Sequence, residues 1–182
     1  AGEFVAGYDD GALNEGPAHP MILESFCIDR YEVTQKNFVQ TMKINPSRFK
    51  GAKLPVNNVT WIEALAYCQG VGKRLPSEME WEKAARSGTR DLFYWTNRTG
   101  EQYAWSNQNA GNKVKKVGKK KPSPLGLHDM LGNVNEWVSD WYGPDTYKED
   151  PQDNLDGPLE GKHKVLRGGS WMDFPKDLRI TK

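Results

Sequence analysis

Two short stretches limit the folds open to this chain more than its overall composition does. Residues 126–141 read GLHDMLGNVNEWVSDW and residues 167–171 read RGGSW. Glycines and tryptophans alternate with polar residues there, and neither stretch keeps the period of a helix or of a strand. Such sequences predict irregular loops that polar hydrogen bonds hold in place. We therefore expect a fold in which ordered loops do much of the structural work.

The composition agrees with one domain of that kind. Hydrophobic residues make up only 37% of the 182 residues, but seven Trp, seven Tyr and six Phe can bury a large area. Eighteen Gly and eleven Pro favour ordered loops over a helical bundle. We predict a single α+β domain over residues 1–182, rich in loops and poor in regular secondary structure.

Local patterns predict three helices. Thr60 with Glu63, and Ser77 with Glu80, form capping boxes, and each box precedes an apolar stripe. The first stripe contains Trp61, Ala64, Leu65 and Cys68, and Gly70 and Gly72 end that helix; the second contains Trp81, Ala84 and Ala85 and ends near Gly88. A third helix starts from Thr34 as N-cap and runs to about Met42. Weaker patterns predict strands over residues 3–7, 21–29, 92–95 and 165–167.

The charge pattern excludes some partners. A formal net charge of +1 gives no general attraction to nucleic acid or to a membrane surface, and no apolar run approaches the roughly 18 residues of a membrane span. Locally, lysines are concentrated in residues 113–121 and carboxylates in residues 140–160. These runs fit two solvated loops of opposite sign, and an anion site on the lysines is the alternative.

Few residues suggest redox or transition-metal chemistry by their spacing. Cys27 and Cys68 lack a zinc or redox motif and stand in apolar surroundings, which predicts small buried side chains. His19, His128 and His163 lie in separate loops without the spacing of metal ligands, so we expect exposed or hydrogen-bonded histidines.

Two further short motifs have ordinary structural interpretations. Gly168-Gly169-Ser170 lacks the lysine of a phosphate-binding loop and predicts close approach of two backbone segments. The sequons at residues 58–60 and 97–99 matter only in a secretory setting, and Thr60 is better explained as a helix cap.

Five segments taken together resemble the formylglycine-generating enzyme family, also called the sulfatase-modifying-factor family. They are FCIDRYEVT at residues 26–34, residues 55–68, GKRLPSE with the following helix at residues 72–86, GLHDMLGNV at residues 126–134, and RGGSW at residues 167–171. The resemblance implies a C-type-lectin-like fold. It also implies that residues 1–182 stop before a closing segment, because the family normally continues to a final Gly-Phe-Arg.

The resemblance implies copper chemistry that this chain does not match. The oxidases of the family hold copper on a cysteine pair, the first shortly after the Gly-Gly-Ser-aromatic motif, and soft thiolates suit Cu(I). Here Trp171 is followed by Met172 and Asp173, and no cysteine occurs as far as Lys182. We therefore expect no copper and no oxidase activity from these residues.

A calcium ion is the cofactor that we expect. In Gly132-Asn133-Val134-Asn135-Glu136, an amide oxygen and a carboxylate stand three residues apart, and hard oxygen ligands suit Ca²⁺. The resemblance implies Asn133 and Glu136 as side-chain ligands, and a tight turn could add the carbonyls of Leu131 and Val134. Asn135 departs from the aromatic residue usual in the family, which concerns packing more than ligation.

The sequence thus predicts a non-catalytic domain with a binding or structural role. Family resemblance suggests a bacterial envelope or extracellular setting, with a signal sequence outside this chain, and a larger assembly is compatible with it. We expect a protein, glycan or small-molecule ligand at a surface that includes Trp95, Trp105, Trp171 and Phe174. The alternatives are a metal-dependent oxidoreductase (formylglycine generation or sulfoxide synthesis) completed by residues outside this chain, and a display protein with a variable C-terminal face.

Overall fold

The computed structural model describes residues 1–96, 100–148 and 157–182. Most of the described chain is loop and turn, as the sequence predicts. The regular elements are β1 (Gly2–Ala6), β2 (His19–Leu23), α1 (Gln35–Met42), α2 (Trp61–Gly70), α3 (Glu78–Arg86), β3 (Glu136–Trp141), β4 (Lys164–Arg167) and a 3₁₀ turn (Pro175–Asp177). The sequon at residues 97–99 and the acidic residues 149–156 lie outside the described residues.

All three helices begin where the sequence predicts, because their first turns are closed locally. In α2 the Thr60 hydroxyl accepts from the Glu63 N–H at 3.3 Å, and the Glu63 carboxylate accepts from the Thr60 N–H at 2.7 Å. The same reciprocal pair caps α3, and Thr34 caps α1. Each cap satisfies amides that the helix itself leaves without partners.

The apolar stripe of α2 is less buried than predicted. Its one fully buried residue is Tyr67, which is not in the stripe, whereas Trp61, Ala64, Leu65 and Cys68 are only half-buried. Two of the four stripe residues, Ala64 and Cys68, line a cavity, and the Trp61 indole N–H donates to the Val138 carbonyl at 2.8 Å.

The strands form two antiparallel pairs, β1 with β2 and β3 with β4. Strand β3 corrects the expectation that residues 126–141 are only loop. Its inward side chains are Val138 and Asp140, so a buried carboxylate interrupts the apolar alternation that would have indicated a strand. The register of β3 on β4 also shifts between Trp137 and Trp141.

Other strand predictions need correction as well. The strand predicted over residues 21–29 ends at Leu23, and the following residues continue outside regular structure with Cys27 exposed. Residues 92–95 form no strand, because Tyr94 and Trp95 pack into the core as a cluster of rings. The strand predicted at residues 165–167 is confirmed as β4.

Helix α3 is the centre of the fold and contacts β1, β3 and β4. Its Trp81 is fully buried together with residues from the first of the two stretches that the sequence singles out, including Leu131 and Val138. The last described segment contributes Ile180 to the same core. Among the described residues, no helix is both long enough and apolar enough to span a bilayer.

A charged network lies beneath α3. Glu82, 0% exposed, accepts hydrogen bonds from the Arg86 guanidinium, the Tyr147 hydroxyl and the main-chain N–H of Gly7. Arg167 of β4 donates to the same carboxylate at 3.1 Å. One buried acid in α3 therefore links Gly7, which follows β1, to Tyr147 and to Arg167 of β4.

Candidate functional site

The predicted metal loop is a tight turn that three neighbouring segments hold. Gly132 and Asn133 have φ values of +86° and +59°. The Gly132 N–H donates to the carbonyl of Gly168 at 2.8 Å, and the Asn133 N–H donates to the carbonyl of Trp105 at 3.0 Å. The Asn133 carbonyl accepts from the Trp171 N–H at 2.9 Å, so the turn joins both stretches identified in the sequence.

The Asn133 side chain is buried and hydrogen-bonded on both sides. Its amide nitrogen donates to Glu32 at 2.7 Å and to the Lys115 carbonyl at 3.2 Å. Its amide oxygen accepts from the Lys115 N–H at 2.8 Å, which leaves one lone pair on that oxygen. Asn133 is therefore first of all a structural link between loops.

Glu136 points its carboxylate into the same region. One of its oxygens accepts from the Trp81 indole N–H at 2.6 Å. Burial, with a smaller contribution from the nearby negative charge of Asp129, raises the pKa of Glu136 to about 7. The Trp81 bond acts in the opposite direction, yet it does not offset the burial.

Two acidic residues beyond the predicted set share this environment. Burial raises the pKa of Glu32 well above its usual range, and Asp129 and Glu136 add to that shift. Burial also raises the pKa of Asp129, whose Oδ1 atom has no hydrogen-bond partner. The loop is thus surrounded by buried carboxyl groups whose ionised forms lack a compensating positive charge.

These residues fit a hard cation by the type of their donors. No hydrogen bond to the Val134 carbonyl is found among the described residues, and Glu136 keeps one carboxylate oxygen free of such bonds. The Leu131 carbonyl faces the Trp105 N–H in a parallel bridge between Trp105 and Gly132. Oxygen donors and surplus negative charge are what Ca²⁺ requires. Within the described part of the chain, no three His, Cys, Asp or Glu side chains are grouped to hold a metal ion, so carbonyls would have to complete the coordination.

The four aromatic residues predicted for ligand binding do not share one surface. Trp95 is 7% exposed and stacks between Phe93 and Tyr103 in the core. Trp105 is half-buried, with the Lys120 ammonium 3.8 Å from its ring centre. Trp171 is also half-buried, with its ring edge-on to Phe49, and of the four only Phe174 is exposed.

The loop after Trp171 has a defined shape. The Asp173 carboxylate accepts from the Ser170 N–H at 2.8 Å and from its hydroxyl at 2.9 Å. The Asp173 carbonyl in turn accepts from the Asn107 N–H. With its backbone fixed in this way, the loop presents Met172, 62% exposed, and Phe174, 55% exposed.

The structure also bears on the expectations for the Gly168-Gly169-Ser170 motif and for the histidines. A Cβ on Gly168 would lie 2.7 Å from the Met130 carbonyl, which confirms close backbone approach instead of a phosphate cradle. His128 stacks on Tyr31 and bonds the Lys120 carbonyl, and His19 bonds the Pro17 carbonyl.

Sequence reasoning missed Glu32, Asp129 and Trp81 as members of the site. Glu32 and Asp129 both lie inside segments that resemble the family, so the resemblance could have drawn attention to both residues. Nothing in the spacing, however, indicates that Glu32 reaches Asn133, which is 101 residues away.

Comparisons with known proteins give a consistent result. A family model described as the sulfatase-modifying factor enzyme 1-like domain matches residues 1–182. The serine/threonine-protein kinase pkn1 of Chlamydia pneumoniae is 37% identical over 99% of this chain and 33% of its own length. The formylglycine-generating enzyme of Mus musculus is 39% identical over 65% of this chain and 35% of its own length.

A solved structure agrees over the whole chain. Treponema denticola variable protein 1 superposes with a TM-score of 0.84 and 31% identity, covering 100% of this chain and 87% of that one. The chain spans about a third of the length of the two curated relatives.

Proposed function

The chain belongs to the family of sulfatase-modifying factor enzyme 1-like domains. We propose that it is a non-catalytic member that binds a partner through the loop after Trp171. The observation that carries this proposal is the turn at Asp173. Its carboxylate is committed to Ser170, while Met172 and Phe174 project from the surface. Exposed apolar side chains on a fixed backbone favour binding, because little ordering entropy is lost on association.

The chemistry of this loop supports a non-catalytic role. Copper oxidation needs soft thiolate ligands, and the loop offers a thioether, a carboxylate and aromatic rings. Cys27 and Cys68 belong to other segments, where both line one cavity. Neither follows the Gly168-Gly169-Ser170-Trp171 motif.

We place the domain in a larger protein or assembly of the bacterial envelope or the extracellular space. The curated relatives, which are about three times longer than the matched region, support the idea of a module within a larger protein. The envelope setting rests on family resemblance alone. The partner would be a protein, a glycan or a small molecule.

Replacing Phe174 by alanine tests the binding surface. We expect peptides selected on phage against the wild-type domain to lose at least about tenfold in affinity, because truncating a hot-spot side chain to alanine costs about 2 kcal/mol or more. Calorimetry with the synthetic peptides measures this loss. Leu13, 88% exposed and outside the loop, gives the matched control Leu13→Ala, which should bind as the wild type does. Equal affinity for the wild type and the Phe174 variant would reject this surface.

Two alternatives have specific support. The 39% identity to the formylglycine-generating enzyme favours an oxidoreductase, which would need thiols from outside residues 1–182. The match to a variable protein favours a display role, with sequence variation concentrated after Trp171. The Asp173 turn is compatible with the display role and gives no support to the oxidoreductase.

We further propose that Ca²⁺ binds at Glu136 with the carbonyls of Leu131 and Val134 and the amide oxygen of Asn133. Its contribution would be structural, since it would offset the buried negative charge beside the turn. A cation that binds only the native state must stabilise it, by about 2.7 kcal/mol at a hundredfold excess over Kd.

Thermal unfolding tests the cation. We expect Ca²⁺ to raise the Tm of EGTA-treated protein by about 5–10 °C for a domain of this size. Glu136→Gln keeps an acceptor for Trp81 and should abolish the response, whereas Glu24→Gln, at an exposed position, should retain it. Superimposable curves in EGTA and in Ca²⁺ would refute calcium binding.

A further inference from the structure

Two loops beside the proposed partner surface carry a large excess of positive charge. Residues 48–53 and residues 113–121 together contain nine lysines and arginines and no carboxylate, although the formal net charge of the whole chain is only +1. The rest of the chain is therefore acidic on balance. All nine basic side chains except those of Lys115 and Lys120 are exposed, and we call this set the basic patch.

Main-chain contacts bring the two loops together beside the Asn133 turn. The Val117 N–H donates to the carbonyl of Lys53 at 3.1 Å, which fixes the second loop against the first. The Lys115 N–H donates to the Asn133 side chain at 2.8 Å, and the Trp171 N–H donates to the Asn133 carbonyl at 2.9 Å. The turn that holds Trp171 in place therefore also holds the basic loops.

Aromatic contacts place the apolar side chains of the partner surface next to this charge. Phe49 of the first loop lies edge-on to Trp171, with ring centres 6.1 Å apart, and the Arg48 guanidinium lies 5.4 Å from the ring centre of Phe49. The exposed residues Met172 and Phe174 follow Trp171 in the chain. The apolar side chains and the basic patch are therefore neighbours on the surface.

Acidic side chains of the described residues do not neutralise the basic patch. Among those residues, no ion pair involves a lysine or arginine of either loop. The Asp173 carboxylate is committed to Ser170, and Asp129, whose carboxylate accepts from the Gly118 N–H at 2.6 Å, is only 1% exposed. The exposed Glu101 lies at the end of the patch, where its main-chain carbonyl accepts from Lys120.

We propose that the partner of the loop after Trp171 is an acidic segment of another protein. An apolar side chain of that segment packs against Phe174, and its carboxylates face the basic patch. This inference rests on the partner binding proposed above and specifies the chemistry of the partner. Complementary charge across an interface steers association and disfavours partners of the wrong sign.

The combination of groups on this surface decides between classes of anionic partner. Phenylalanine and methionine are enriched in protein interfaces, and a protein segment carries apolar side chains and carboxylates on one chain. A base or a sugar ring would need a free aromatic face for stacking, but the Trp105 ring has the Lys120 ammonium 3.8 Å from its centre. In a bilayer, the two exposed apolar side chains would bury less hydrocarbon than a single acyl chain, which alone binds only marginally.

Synthetic copies of the phage-selected peptides test the sign of the charge. We expect the selected sequences to contain more Asp and Glu than Lys and Arg, together with an aliphatic or aromatic residue. Replacing every Asp by Asn and every Glu by Gln in a peptide should weaken its binding at least about tenfold at low salt, because several charge pairs are lost together. Calorimetry on the full chain measures the loss. Equal affinities for the acidic peptide and its amide version would overturn the proposal.

Salt provides a second measurement on the same peptides. Raising NaCl from about 0.05 M to about 0.5 M should weaken binding of the acidic peptides and leave that of the amide versions nearly unchanged, because salt screens exposed charges. An acidic peptide whose affinity does not respond to salt would count against contact with the basic patch.

Charge reversal on the domain locates the contact. Lys53→Glu and Lys116→Glu change exposed side chains without ion pairs and should each weaken the acidic peptides about three- to tenfold. Lys162→Glu makes the same change beside Gly161, which lies against Trp141 at the end of β3, and should bind as the wild type does. An equal loss in Lys162→Glu would show that only the overall charge matters and would refute the patch.

The outcomes distinguish this inference from the partner surface itself. If Phe174→Ala weakens the peptides but Lys116→Glu and the amide substitutions do not, the loop binds a partner and the acidic segment is refuted. If Lys116→Glu weakens them but Phe174→Ala does not, the partner surface fails and this inference fails with it. Tighter binding of a heparin hexasaccharide, a single-stranded oligonucleotide or phosphatidylglycerol vesicles than of the acidic peptides would overturn the assignment to a protein.

Discussion

Replacing Glu82 by glutamine is expected to lower the free energy of unfolding by about 3–5 kcal/mol, the usual cost of breaking a buried ion pair from one side. The carboxylate is inaccessible to solvent and accepts from Arg86, Arg167 and Tyr147. An uncharged amide leaves both guanidinium groups short of negative charge in a site where water cannot replace it. It also turns an –NH₂ group toward donors.

Thermal and urea unfolding measure this effect. For a domain of this length, the expected fall in Tm is about 6–20 °C. Glu24→Gln makes the same chemical change at an exposed position and should stay within about 0.5 kcal/mol of the wild type. A loss below 1 kcal/mol for Glu82→Gln would mean that Glu78, 3.5 Å from Arg167, compensates for the missing charge.

Replacing Gly132 by alanine is the second change with a large expected effect, about 2–5 kcal/mol. The new Cβ would lie 2.3 Å from the Trp105 carbonyl oxygen, and the φ of +86° is unfavourable for any residue with a side chain. The left-handed conformation costs about 1–2 kcal/mol and overpacking adds about 1–3 kcal/mol. Because the contact is with main chain, no side-chain rotation can relieve it.

Gly72→Ala separates the two contributions. Gly72 has a φ of +70°, but a Cβ there meets no atom within 4 Å. It should therefore cost only the conformational part, about 1–2 kcal/mol. Equal losses in the two variants, measured by urea unfolding, would show that the Trp105 segment moves aside and that the turn is not rigid.

The helices could be predicted from sequence because their signals are local. Thr60, Ser77 and Thr34 each stand within three residues of the amide that they cap, and all three caps are present. The overall fold could be predicted for a different reason: five family-like segments occur in order along the chain.

The features of the fold that could not be predicted depend on contacts between residues that are distant in sequence. Strand β3 pairs with β4 although residues 142–163 separate them in sequence, and the buried Asp140 hides the apolar alternation of β3. Cys27 stands in an apolar sequence yet is exposed, because the chain beyond Leu23 lies beside a cavity. No local pattern carries that information.

In the candidate site, too, local motifs could be predicted from sequence and long-range contacts could not. Asn133 and Glu136 could be selected from one motif, and the structure brings them into one acidic region. Glu32 could not, since its link to Asn133 spans 101 residues. Likewise Trp95 and Trp171 looked alike as aromatic residues in loops, but Trp95 packs in the core and Trp171 does not.

The long sequence separation between two buried acids and their partners has a consequence for biosynthesis. Glu15 accepts hydrogen bonds from Arg179 and Thr181, and Glu82 accepts one from Arg167. Both buried acids are therefore translated long before these partners. Contacts this far apart in sequence form slowly, because loop-closure entropy is lost before the contact forms. A ribosome-bound chain that has not yet reached residue 167 therefore carries Glu82 without the arginine of β4. These contacts can form only after residues 167–181 have left the exit tunnel.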